Sequence, residues 1–191
     1  MGINWSTESS SLQVRPAGLK RIQVVDIDTS GSAFTITSIP SDAAEVNLHL
    51  INYSTDNNTQ NLMSLRCGTG GSIDSGNNYN WGCNDGSGNQ QSSGYSGTDY
   101  FRCIPTVHSG ASHTFTGDIT LRRATHSEGV AYSGWIITSL MGDITNSHFM
   151  ASGGRWKTTS ALERVQIYNA GGHGYDSGGR IIVTVATGYG Y

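Results

Sequence analysis

The chain has 191 residues, a formal net charge of -3 and 13% charged against 36% hydrophobic residues, a length that suits one large domain with its own core. Its 26 glycines follow no three-residue period, which excludes collagen, and no apolar run reaches the roughly 18 residues of a membrane-spanning helix. Eleven Lys and Arg against fourteen Asp and Glu leave no basic footprint for a nucleic-acid backbone.

Residues 1–15 are polar, with Ile3 and Trp5 as apolar anchors, and read as an arm that attaches the protein or joins subunits. The run MGINWSTESSS has neither a basic nor an apolar signal region, so synthesis and assembly in a cytoplasm are expected. Residues 16–191 read as a single domain. Alternating or apolar runs bounded by Gly, Ser, Asn and Asp predict strands over 19–27, 33–39, 45–53 and 60–67, with Pro40, Ser41 and Asp42 turning the chain between the second and third. Within 45–53, Val46, Leu48 and Leu50 share one face, and Asn47 and His49 the other.

Residues 68–98 are so rich in Gly, Asn and Ser that they read as a long surface loop, or as one interrupted by a short strand near 78–83. Further strands are predicted over 99–105, 113–123, 130–141, 147–152, 162–169 and 180–187. No window holds apolar residues at a sustained 3.6-residue spacing, so no helix is expected. Many short strands without crossover helices imply an all-β fold, an antiparallel β-sandwich that is jelly-roll-like and carries an N-terminal arm.

Chemical motifs are sparse. Cys67, Cys83 and Cys103 are odd in number and widely spaced, which fits free thiols better than a disulfide framework. Cys103 with His108 and His113 could supply zinc ligands, but their spacing matches no known site, and NDGSGN at 84–89 resembles part of a calcium loop without its closing acidic residue, so no metal and no cofactor is expected. The stretches at 94–97 and 132–135 fail the spacing of a nucleophile elbow, and no lysine follows a glycine run as in a phosphate-binding loop. Asp74, Asp85 and Asp99 offer carboxylates for glycoside hydrolysis on paper; the expectation is nonetheless a protein without catalysis. Tyr79, Trp81, Tyr95, Tyr100 and Phe101 lie among Asn, Gln and Ser, the chemistry of a glycan-binding or receptor-binding loop in which rings stack and amides bind hydroxyls. The alternative is that these rings plug the loop onto the sandwich or a neighbouring subunit.

The C-terminal segment LERVQIYNAGGHGYDSGGRIIVTV resembles the hairpin that ends many bacteriophage tail-fibre and virion surface domains. Leu162, Arg164, Val165 and Ile167 form its first strand, Tyr175, Asp176 and Gly178 its aromatic-Asp-x-Gly step, and 181–185 its closing strand. Upstream, LRCGTGGSIDSGNNY, FTGDITL, WIITSL and SHFMASGG are similar to earlier strands of that family. In such a hairpin Asp176 accepts turn amides, Gly178 takes positive φ and Tyr175 packs over the strand pair, all structural roles.

The resemblance implies a virion structural protein displayed on the particle surface, of tail-fibre or receptor-binding type, adhesive and not enzymatic. Its implied partners are two further copies in a homotrimer, other phage virion proteins and a host surface glycan; a trimer would also cover exposed strand edges. Head decoration, as a short capsid fibre held by the arm, and a plain glycan-binding module are the alternatives.

Overall fold

A computed structural model describes residues 20–26, 32–54, 63–85, 95–104, 114–124, 134–144, 148–170 and 178–187. Thirteen strands and no helix occur among them. They are β1 (Lys20–Asp26), β2 (Ala33–Ile36), β3 (Ala43–Tyr53), β4 (Met63–Thr69), β5 (Ser72–Ile73), β6 (Tyr79–Asp85), β7 (Tyr95–Thr98), β8 (Phe101–Arg102), β9 (Phe115–Ala124), β10 (Gly134–Asp143), β11 (His148–Trp156), β12 (Arg164–Asn169) and β13 (Arg180–Thr187). All pairings are antiparallel.

Eight strands form one sheet in the order β1-β13-β3-β9-β10-β11-β6-β7, and the other runs β2-β12-β4-β5 with β8 also on β4. The expected all-β sandwich is therefore the fold. Strand alternation makes its core: Val46, Leu48, Leu50, Ile119, Leu121, Ile137, Met141, Ile181 and Val183 from the larger sheet meet Ile36, Leu65, Val165 and Ile167 from the smaller one, all buried.

Three expectations change in detail, each for a local reason. The strand expected over 33–39 ends at Ile36, because Ser38 takes a left-handed φ of 62° that breaks the extended run. The strand expected to stop at 152 continues to Trp156 through Gly153 and Gly154, whose cross-strand partners Gly82 and Trp81 keep them in the ladder. Residues 68–98 hold β5, β6 and β7, so most of the described part of the stretch is sheet; 86–94 lie outside the described residues. Two glycines of the stretch make a turn: Gly70 and Gly71, at φ of 57° and 93°, form the two-residue hairpin turn between β4 and β5.

Polar side chains pin the two sheets together. The Tyr79 hydroxyl on β6 accepts the Cys67 amide of β4 at 2.8 Å and donates to the Asp74 carbonyl at 3.1 Å. Ser139 and Ser152, register partners on β10 and β11, both donate to the Cys103 carbonyl, at 3.1 and 3.2 Å. Satisfied bonds of this kind fix one registry between layers that apolar contact alone would leave free to slide.

Candidate binding edge

The chain leaves the larger sheet at the end of β7 and enters the smaller one at β8, two residues later. Of the strand expected over 99–105, only Phe101–Arg102 is strand among the described residues, because the crossing itself takes up 99 and 100. Thr98 closes the corner: its hydroxyl accepts the Trp81 indole N–H at 3.1 Å and lies within donating reach of the carbonyls of Tyr100, at 2.8 Å, and Tyr79, at 3.2 Å.

Aromatic rings gather around that corner. Tyr95 stacks on Trp81 with centroids 4.3 Å apart and planes 27° from parallel, and Tyr100 lies over the same indole at 6.1 Å. Tyr100 meets Tyr168 of β12 edge-on at 6.5 Å. Two arginines bind the cluster. The Arg102 guanidinium sits 5.2 Å from the Trp81 ring and 5.5 Å from that of Tyr100, and donates to the Tyr100 hydroxyl at 3.0 Å. Arg66 lies 4.5 Å over the Tyr168 ring, donates from Nε to the Asp99 carbonyl at 2.9 Å and pairs with the Asp99 carboxylate. Burial, only partly offset by Arg66, pushes the Tyr168 phenol up to about 12.

Of the five rings singled out from the sequence, Trp81, Tyr95 and Tyr100 come together here, while Tyr79 stacks on Trp156 at 6.4 Å and Phe101 is buried in the core. Tyr79 is fully buried and Trp81 is 4% exposed, so both are foundation. Tyr100 is half-buried, and Tyr95 presents 46% of its surface to solvent. Tyr95 also borders an open, shallow groove of about 600 Å³ with Asn80, Gly82, Ile136, Gly153 and Arg155. The Asn80 side-chain oxygen accepts the Gly97 amide at 3.1 Å, which fixes the orientation of this amide.

Sequence reasoning missed Arg66, Asp99, Arg102 and Tyr168 as members of the cluster. Alternation along β12 puts Tyr168 on the face opposite Val165 and Ile167, outside the core; what local pattern lacks is the β7-to-β8 crossing that brings β12 beside Trp81. The C-terminal segment is not the expected hairpin: β12 pairs with β2 and β4 in the smaller sheet and β13 with β1 and β3 in the larger, so the connection between them crosses layers instead of turning back along one sheet. Gly178 does take a positive φ, 97°, while Tyr175 and Asp176 lie outside the described residues, as do Ile3 and Trp5 of the arm.

The three cysteines are free and buried. Burial pushes the Cys67 thiol far up, with the neighbouring Cys103 and Asp74 adding to it, and raises Cys103 strongly as well, so neither presents a thiolate at neutral pH. No cluster of three potential metal ligands occurs among the described residues; His108 and His113 lie outside them. No family model, curated protein or solved structure matches the chain.

Proposed function

We propose that this chain is an adhesive, non-catalytic domain of a bacteriophage virion, displayed on the particle surface as a tail-fibre or receptor-binding module, and that it touches a host glycan at the β6–β7 edge. The observation that carries the adhesive reading is the Tyr95 ring, held against the buried Trp81 indole while 46% exposed. A ring braced in this way loses little freedom on binding, which is what a weak, repeated contact to a sugar face requires. Asn80 and Ser96 line the adjoining groove and supply amide and hydroxyl partners for sugar hydroxyls. The phage assignment is supported by the sequence resemblance of the C-terminal segment and by the all-β architecture.

Two experiments test the reading. Tyr95→Ala should abolish binding of the purified chain to host cells while leaving its melting temperature within a degree or two; undiminished binding rejects the site. Immunogold labelling of intact particles should decorate the tail; label confined to the head establishes the decoration alternative, and unlabelled particles remove the virion reading altogether.

A further inference from the structure

The outward face of the larger sheet is less polar than its strand count suggests. On β10, Ile136 and Leu140 are 49% and 50% exposed, and Phe149 on β11 is 54% exposed. Between and beside them stand small side chains, Thr138, Gly142, Ala151 and Gly153. The three large residues expose on the order of 300 Å² together, the size of the largest apolar patch on a typical monomer, which is often functional.

Charge on this face follows a symmetric plan. Ile136 is flanked in register by Arg122 on β9 and, beyond it, Glu45 on β3; Leu140 is flanked by Asp118 and then His49. Glu45 pairs with Arg122, and His49 with Asp118. Reading across from β10, one row runs apolar, cation, anion, and the row two pairs away runs apolar, anion, histidine. Thr138, Thr120 and Asn47 form the neutral row between them, with Thr120 donating to Asn47 at 2.8 Å.

We propose that this face is a two-fold contact between two copies of the chain. A two-fold axis lying in the face and crossing β10 at Thr138 stacks each β10 on its counterpart in the opposite direction. That operation sets Ile136 against the partner's Leu140, Arg122 against the partner's Asp118, and Glu45 against the partner's His49. On β9 and β3 each charge then meets its complement, and on β10 each large aliphatic side chain meets another, while Arg155, beside Ile136 on β11, falls against the partner's Ala151; the matched rows are the self-complementarity an isologous interface requires. Sheets stack this way at about 10 Å. Five strands, β3 to β6 in sheet order, spaced about 4.8 Å apart and about ten residues long, offer a face on the order of 800 Å², one side of a standard stable interface. A face closed by a two-fold makes pairs, in place of the three-fold assembly that the hairpin resemblance implies. The contact shares Ile136 and Gly153 with the groove beside Tyr95, so pairing would cover part of that groove; chain mass reads the pairing and Tyr95→Ala reads the glycan contact, which keeps the two outcomes distinct.

Light scattering on the full chain at micromolar concentration tests the proposal. The unaltered protein should have the mass of two chains. Ile136→Lys should give one chain, with its β-type circular dichroism kept because the position is half-exposed, and Thr138→Arg should do the same by bringing like charges together on the axis. The double variant Ile136→Lys/Leu140→Glu should return the mass to two chains, because the new charges meet only across the axis; within one chain they lie about 13 Å apart along the strand. A one-chain or three-chain mass for the unaltered protein, a two-chain mass for Ile136→Lys, or no recovery in the double variant would each overturn it.

Discussion

The indole N–H of Trp156, on β11 of the larger sheet, donates to the carboxylate of Asp74 at 2.6 Å, just beyond β5 of the smaller one. The same carboxylate accepts the Gly76 amide at 2.8 Å and the Asn78 side-chain amide at 3.0 Å. One acidic group thus closes the turn into β6 and joins the two layers.

Burial by itself would raise the Asp74 carboxyl, but these three donors and the charge of Arg66 outweigh it and hold it below its usual 3.8. A carboxylate with a depressed folded-state pKa adds stability above its unfolded value and loses it as pH falls through the lower folded one. Melting temperature should therefore be flat from neutrality to about pH 4 and decline below it. Asp74→Asn should shrink that acid-dependent decline and, by weakening a charge-assisted bond to Trp156, cost about 1–3 kcal/mol in a urea titration at pH 7. An equal acid decline in the variant would show that other carboxylates govern it.

Trp81 and Tyr95 should separate stability from binding. Trp81→Ala removes a nearly buried indole and its bond to Thr98, so a loss of about 3–5 kcal/mol is expected by denaturant titration. Tyr95→Ala, at the exposed end of the stack, should cost less than about 1.5 kcal/mol. Equal costs would mean that Tyr95 is as much a part of the core as Trp81.

Adjacent glycines on β11 should behave oppositely. A Cβ on Gly154 would lie 2.1 Å from the Asn80 carbonyl oxygen and 2.7 Å from the Trp81 Cα, whereas one on Gly153 would meet nothing within 4 Å. Gly154→Ala must push β11 from β6 and should lower the melting temperature by several degrees, at about 2 kcal/mol or more. Gly153→Ala should be neutral or slightly stabilising, because it reduces the freedom of the unfolded chain without a clash. Thermal melts of the two variants check the contrast.

Buried thiols with raised pKa values should be unreactive in the native state. Ellman's reagent at pH 7.5 should titrate close to no thiol in the folded protein and three after unfolding in guanidinium, the three being all the cysteines of the chain. Rapid native labelling of Cys67 or Cys103 would contradict their burial.

Much of this fold could be read from the sequence because a strand with one buried face writes its period into local sequence. Val46, Leu48 and Leu50 in β3, and Val165 and Ile167 in β12, show alternation that no helix would sustain, and each of these residues is buried. Alternation weakens where glycine replaces side chains. For that reason the continuation of β11 through Gly153 and Gly154, and the strands β5 to β7, were only partly legible: their backbones stay extended through pairing with neighbours, not through their own preference.

Composition and local period were enough to determine the all-β class, the free thiols and the aromatic character of the 79–101 region. Which ring is foundation and which is surface was decided by tertiary structure, through the crossing from β7 to β8 that folds Arg66, Arg102 and Tyr168 around Trp81 and leaves Tyr95 outermost. The symmetric rows on the outward face arise in the same way, since Arg122 and Asp118 acquire their flanking partners only from the register of β3, β9 and β10. Local pattern records how one segment meets water and core; the meeting of distant segments depends on strand order, which no single segment encodes.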